Sequence, residues 1–508
     1  MESTADLVTQ SEAKSFKQMS VKERLSYIKE VVTVEPLIAA YIISAILVKP
    51  ALLILQYEKS CRANLALNDT VCDNIVKGDG AMFPEQGAQV QFLISEVQSW
   101  QTPVQSIMPL ILVLFLGSYS DRHRLRKPFL LLPLVGELFS VAGCILSVIF
   151  MKQLPLEGFA VFQTIIPSLF GGQTMLVMAV FAYIADVSTL EMRTLRVGIV
   201  QIVINACVPI FQSFSAVLFE AIGYTSILLI AGFLYTFAII YGAFWITEPK
   251  RPIVNTDKKH LLADMFDPKH AIETFKLLLK KSKENDRLFV VLLLIGMFVY
   301  SMVNVGEETV FFLYTKGFLN WSVVEYTSFL TANTLIHLVG TIVAVPLFTK
   351  ILKLHDLVIL LLTFADKIVC NVFFGLAKDS VLMYVGAAVS FITGVTGISL
   401  RSLATKVVSE NDLGKAQSLF GIMEVIGPAI AGPVYNIGIY THTYEVLPSA
   451  LFYFSAILYA LYLISIVWMY VRHKRKIAPN SNEMNEIKNN KVAYEKPVSM
   501  EEIQITHM

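Results

Sequence analysis

Residues 117–128 read Gly117-Ser-Tyr-Ser-Asp121-Arg122-His123-Arg124-Leu125-Arg126-Lys127-Pro128. Four cations and a carboxylate stand between two apolar runs, about 100–119 and about 128–151. Each run is long enough to cross a bilayer core of ~30 Å at a rise of ~1.5 Å per residue. A short cationic turn between two such runs is expected on the cytoplasmic face. Gly117 allows the helix before it to pack closely. Arg122 and Arg126 can form charge-assisted bonds to carboxylates on neighbouring helix ends.

The same texture covers most of the chain. Of 508 residues, 55% are hydrophobic and only 16% are charged, where soluble domains carry ~25% charged residues. The mean hydropathy is +0.61. A secreted, disordered or nucleic-acid-binding protein is thereby excluded, and a net charge of +1 offers no bulk field for a polyanion. Ten further apolar runs lie at about 36–56, 159–185, 197–219, 224–246, 288–314, 326–348, 356–376, 381–402, 414–437 and 447–470. The expected fold is therefore all-α and integral to the membrane, with twelve transmembrane helices.

Charge sets the organisation. With both termini on one side, 33 of the 41 Lys and Arg fall on that side and 6 on the other, which places both ends in the cytoplasm. The expected order is an N-tail (1–33), a six-helix bundle (34–247), a cytoplasmic linker (248–287), a second six-helix bundle (288–471) and a disordered C-tail (472–508). The linker has apolar residues at helical spacing over 261–279, which predicts an amphipathic helix on the inner face. The longest outer loop, about 57–99, holds Asn68-Asp69-Thr70, a glycosylation acceptor pattern. It also holds Cys61 and Cys72, expected to pair in an oxidising compartment.

Soluble-enzyme signals are missing: there is no phosphate loop, no His-Glu-x-x-His, no Cys-x-x-Cys and no Gly-x-Ser-x-Gly. No enzyme activity, cofactor or metal site is expected. Two sets of six spans around a polar linker instead suit a carrier whose halves rock about a central site.

The 117–128 loop resembles the signature loop of the major facilitator superfamily, although Arg124 stands where that pattern has a glycine. The resemblance implies that Gly117, Asp121, Arg122 and Arg126, with Asp186 and Arg193 after the fourth run, form a latch. Its bonds would hold the outward-open state and break when the cytoplasmic side opens. Glu35-Pro36, Tyr183-Ile-Ala-Asp186-Val-Ser188 through Arg193-Thr-Leu-Arg196, Asp264-Met-Phe-Asp-Pro268-Lys-His270 and Ser399-Leu-Arg401-Ser402-Leu-Ala-Thr-Lys406 are similar to the solute carrier 46 family. That family contains the proton-coupled folate transporters. The resemblance implies solute uptake and proton coupling.

Charges within spans are the candidate site, because each costs ~2.5–3.5 kcal/mol at a helix centre on insertion scales. Lys49 and Glu424 lie ~20 Å and ~15 Å from the inner face at helical rise. They are expected to pair, or to be the groups for which substrate and proton compete. Thr393, Gly397 and Arg401 recur at spacing four, so a continuous helix would put them on one face. Arg401 would suit a substrate carboxylate or phosphate. Asn304, Glu307 and Glu308 form an acidic patch read as an outer gate or proton site. Glu137, Asp366 and Lys367 are read as structural pairs.

The pattern departs from the folate transporters at three titratable positions. Gln201 stands at their glutamate and Asn304 at their histidine, and no carboxylate lies near Gly171-Gly172-Gln173. Gln201 cannot carry a proton, so Glu424, Glu307 and Glu308 are the proton candidates. The expected protein is a proton symporter for a small organic anion: folate-like, a muramyl peptide or a cyclic dinucleotide. The alternatives are an uncoupled facilitator, or a transport-inactive receptor or scaffold on the same fold. Plasma membrane and lysosome both fit.

Overall fold

The computed structural model describes residues 33–77, 82–123, 125–188, 190–248, 287–407 and 413–494. The expected linker helix lies outside these residues. Every regular element among them is helical: α1 (Glu35–Lys59), α2 (Asp69–Lys77), α3 (Pro84–His123), α4 (Lys127–Ile149), α5 (Leu156–Val187), α6 (Leu190–Phe244), α7 (Arg287–Phe318), α8 (Val323–Pro346), α9 (Asp356–Leu376), α10 (Ser380–Val389), α11 (Thr396–Val407), α12 (Leu413–Pro433) and α13 (Ala450–Tyr494).

Ten helices are long and apolar enough to cross a membrane, and α10 with α11 form an eleventh span bent by 47°. One of the ten, within α6, runs 49 residues, or ~74 Å if straight, more than twice a bilayer core. It breaks at Gly223, whose φ of 77° and ψ of 179° only glycine adopts at low cost. Counted as two, it brings the total to twelve, consistent with the sequence.

Three features differ from expectation. Helix α3 starts at Pro84, well before the apolar run at about 100. Its first turns carry Gln86, Gln89, Gln91, Ser95 and Gln98, which lower hydropathy, yet Gln91 and Ser95 are buried in the bundle. A 3-10 turn at Thr393–Val395 separates α10 from α11, so Thr393, Gly397 and Arg401 do not share one continuous helix face. Finally, α13 runs on to Tyr494, so the tail expected to be disordered from 472 is helical that far. Residues 471–494 are rich in Lys, Arg, Glu and Asn, and extending an existing helix avoids the cost of nucleation.

Within the first half α1 packs on α6 and α4 on α6; within the second, α7 packs on α12 and α9 on α13. The halves meet where α3 packs on α12 and α6 on α8. Between α1 and α3, Cys61 and Cys72 form a disulfide. Arg62 ties this loop together through Glu58 (3.1 Å), Asp69 (2.6 Å) and Asp73, and Lys152 reaches Asp69 at 3.0 Å. Lys59, wholly buried, donates to the carbonyls of Phe150, Met151 and Leu154 at 2.9–3.0 Å. It thereby satisfies acceptors that the end of α4 leaves open.

A candidate binding site between the halves

The two halves make direct polar and ring contacts at the disulfide end. Tyr440 Oη donates to Gln91 Oε1 at 2.6 Å, and Lys316 Nζ donates to the Val76 carbonyl at 2.7 Å. The rings of Tyr57 and Phe312 stand edge to face at 5.7 Å. Gly432 lets α12 approach α3 there, since a Cβ on it would lie 2.7 Å from Thr102 Cβ. This end is closed.

Deeper in the bundle two chambers adjoin. One, about 330 Å³, is lined by Lys49, Gln56, Gln98, Gln101, Gln163 and Glu308 among others. The other, about 440 Å³, is lined by Asn304, Glu307, His337, Lys367 and aromatic rings including Tyr300 and Phe329, and again by Lys49 and Glu308. Lys49 Nζ bonds Glu308 Oε1 at 2.6 Å. This ion pair joins α1 of one half to α7 of the other, at the boundary of both chambers. The side chains remain 44% and 59% exposed, so both charges face open space and not lipid-tight packing.

The next residue is held differently. Glu307 is buried and accepts from Lys367 Nζ at 2.9 Å and from Asn371 Nδ2 at 2.8 Å. All three belong to the second half. A buried carboxylate needs such compensation, because its desolvation would otherwise cost several kcal/mol (order-of-magnitude). At the edge of this network Asp366 Oδ2 accepts from Thr393 Oγ1 at 2.9 Å, and His337 Nε2 meets Ser390 Oγ at 2.9 Å.

Placement of the sequence candidates is thus uneven. Lys49, Asn304, Glu307 and Glu308 line the chambers. The expected pairing of Lys49 with Glu424 does not form. Depth along a helix gives height but not bearing: at that height α1 faces α7, and Glu424 on α12 faces α11. Both carboxylate oxygens of Glu424 engage Arg401 Nη2, one at 2.5 Å. Arg401 and Glu424 are not among the lining residues of either chamber. Gln201 is exposed and donates to Asn205, one turn along its own helix, at 3.2 Å. Lys367, expected in a structural pair, holds Glu307 and also lines the second chamber. Glu137 accepts from Tyr41 Oη at 3.1 Å.

At the other end of the bundle Arg126 Nε bonds Asp186 Oδ2 at 2.8 Å. Both residues belong to the first half, so this bond joins α4 to α5 within a half and does not cross the interface, as a latch was expected to do. The side chains of Gly117, Asp121, Arg122 and Arg193 lie outside the described residues. Asn68 is exposed at the start of α2, where its Oδ1 accepts from Thr70 N at 3.2 Å.

The glutamines of the first chamber carry no charge and so do not stand out in the sequence as Lys49 and Glu308 do. A signal existed: Gln98, Gln101 and Gln105 recur at three and four residues, the period of one helix face.

A family model, described as Major Facilitator Superfamily, matches residues 80–432. The chain belongs to the major facilitator superfamily. Among curated superfamily relatives is the "lysosomal proton-coupled steroid conjugate and bile acid symporter SLC46A3" of Gallus gallus, 25% identical over 87% of this chain and 94% of the relative. A "probable peptidoglycan muropeptide transporter SLC46" of Drosophila melanogaster is 22% identical over 81% of this chain and 80% of its own length. The "proton-coupled folate transporter" of Rattus norvegicus is 26% identical over 63% of this chain and 67% of its own. Of solved structures, the human organic anion transporter MFSD10 superposes with a TM-score of 0.55 at 15% identity, over 88% of this chain and all of the other. A sulfate-bound peptide transporter of the POT type gives 0.56 at 12%, over 87% and 97%. These likenesses establish the superfamily fold. The chain is a multi-pass membrane protein related to the proton-coupled carriers of solute carrier 46.

Proposed function

We propose that this protein is a secondary active transporter that moves a small organic anion by alternating access, in symport with protons. The observation that carries this reading is the Lys49–Glu308 ion pair. It crosses from one half to the other and borders both chambers, so whatever opens it loosens a bond between the halves. A substrate carboxylate, sulfate or phosphate can replace Glu308 on Lys49, and a proton on Glu308 releases Lys49 for that exchange. Anion and proton then enter together, because neither charge is left unpaired in the membrane interior. The named substrates of relatives — folate, muropeptides, steroid conjugates and bile acids — are organic molecules that include anions of this kind.

With both termini cytoplasmic, as the Lys and Arg bias suggests, the closed disulfide end faces outside or the lysosomal lumen. The chambers then serve the cytoplasmic side. Arg401 and Glu424 are read as a second element of the pathway, gating the same side within the second half.

Reconstituted vesicles test this. Uptake of a labelled panel (folate, muramyl dipeptide, a cyclic dinucleotide, a bile acid conjugate) is measured with external pH at about 5.5 and about 7.4, either side of the range where proton coupling reads out. Symport predicts faster uptake of at least one anion at the lower value. Equal flux at both values removes the coupling and leaves a facilitator. Binding without any flux would favour the receptor reading.

A further inference from the structure

The first chamber differs in kind from the second. Besides Lys49 and Thr102, its polar lining from α1, α3 and α5 is made of uncharged amides: Gln56, Gln98, Gln101, Gln105 and Gln163. Charge enters only at its border, through Lys49 and Glu308. Of these, Gln56 and Gln101 are buried, and a buried amide is costly unless it is bonded.

They are bonded, into a ladder. Gln98 Nε2 donates to Gln56 Oε1 at 3.2 Å, and Gln56 Nε2 donates to Gln163 Oε1 at 3.2 Å. Gln101 Nε2 donates to Thr164 Oγ1 at 2.8 Å, and Gln105 approaches the same hydroxyl at 3.5 Å. Gln98 Oε1 is buried without a hydrogen-bond partner. Gln101 Nε2 places its second hydrogen on Gln163 Oε1 at 3.5 Å, whereas the amide nitrogens of Gln56, Gln98 and Gln105 each keep a second hydrogen. The spare donors on Gln56, Gln98 and Gln105 are more than is needed to glue three helices, where one bond each would serve.

From this geometry we infer that the glutamine ladder is a binding subsite for an uncharged, hydroxyl- or amide-rich part of the substrate, next to the anion held at Lys49. The inference deepens the anion-carrier reading and rests on it for Lys49 alone. Neutral side chains that both donate and accept match a polyol or a run of amides, whose groups do the same, and they repel no charge on the neighbouring anion. The aromatic walls of the second chamber, Tyr300, Phe311, Tyr326, Phe329 and Phe374, take the apolar part. The substrate class is therefore tripartite: a polar neutral group, an anion, and an apolar or ring-bearing group, in that order across the two halves.

Three small probes separate the parts: phenyl β-glucoside has the polyol without the carboxylate, 3-phenylpropionate has the carboxylate without the polyol, and phenyl glucuronide has both. Binding to the purified full-length protein in detergent is read by ligand-induced shift in melting temperature, for wild type, Gln101→Leu and Gln105→Leu. The ladder predicts that both glycosides bind wild type and that each variant weakens them by about fivefold to tenfold, the worth of one lost hydrogen bond. Affinity for 3-phenylpropionate should stay within about twofold. Gln105, exposed in the chamber, keeps the test open if Gln101→Leu fails to fold. Glycoside binding that survives both substitutions, or no glycoside binding to wild type, overturns the inference. Glucoside and glucuronide binding with equal affinity, with no response to phenylpropionate, would keep the ladder and remove the anion site.

Discussion

Glu307 and Glu308 are adjacent in sequence but answer to different halves of the molecule. Glu307 is tied to Lys367 of its own half at 2.9 Å and is 9% exposed. Glu308 is tied to Lys49 of the opposite half at 2.6 Å and is 59% exposed. A helix turns ~100° per residue, so two neighbours on α7 face different surroundings, one a packed interior and one the boundary between chambers. The first glutamate is a fixture of its half, whereas the second can change partners.

Removing one member of the buried pair should be severe. Glu307→Gln and Lys367→Met each strand a charge in the interior, which costs ~3–5 kcal/mol in comparable cases. Both variants are expected to melt well below wild type, and Glu307→Gln combined with Lys367→Met should recover much of the loss. Single variants that melt like wild type would show that the pair is not buried as described.

Gly340 on α8 lies against the break between α10 and α11. A Cβ there would sit 1.6 Å from the Phe391 carbonyl oxygen, so α8 or the break must move to accept it. Gly340→Ala should destabilise by at least the ~1–3 kcal/mol typical of overpacking, measured as a lower melting temperature and poorer yield. Gly421→Ala, with no neighbour within 4 Å of the added atom, is the control and should be nearly neutral.

The loop over the closed end should be robust to acid but not to reductant. The disulfide closes a loop of separation 11, for which loss costs ~2–4 kcal/mol. Cys61→Ser and Cys72→Ser should destabilise equally, and the double variant no further. Bonds from Lys152 and Arg62 hold the Asp69 carboxyl below its usual range. A depressed carboxylate contributes stability above its unfolded value of ~3.9 and loses it only as pH falls through the lower folded value. The melting difference between wild type and Asp69→Asn should therefore be constant from about pH 7 to about pH 5 and shrink only below about pH 4. A difference that vanishes by pH 5 would contradict the Arg62 and Lys152 bonds.

Much of the architecture was legible in the sequence, because an apolar helix announces itself by length and composition alone. Cys61 and Cys72 were legible for a simple reason: of five cysteines, the other three lie in spans. Polar chamber walls were not, for the same reason that the spans were. Gln86 to Gln98 dilute the hydropathy of the first turns of α3, so the apolar run begins only at about 100, although Gln98 lines the first chamber. Pairing was also out of reach. Depth could be counted, so Lys49 and Glu424 were matched by height, but partners are set by which face of each helix meets which neighbour. Lys367 is expected in a structural pair, and its partner Glu307 lies 60 positions away.

In the proposed cycle the Lys49–Glu308 bond is the exchange point for proton and anion. Its most direct test is uptake into reconstituted vesicles, with and without an inward proton gradient, by wild type and Glu308→Gln. A pair this exposed adds only ~0–1 kcal/mol to stability, so the variant should melt close to wild type. It should still take up the anion, at a rate that no longer responds to the gradient. A Glu308→Gln protein whose uptake follows the proton gradient as steeply as wild type would contradict it.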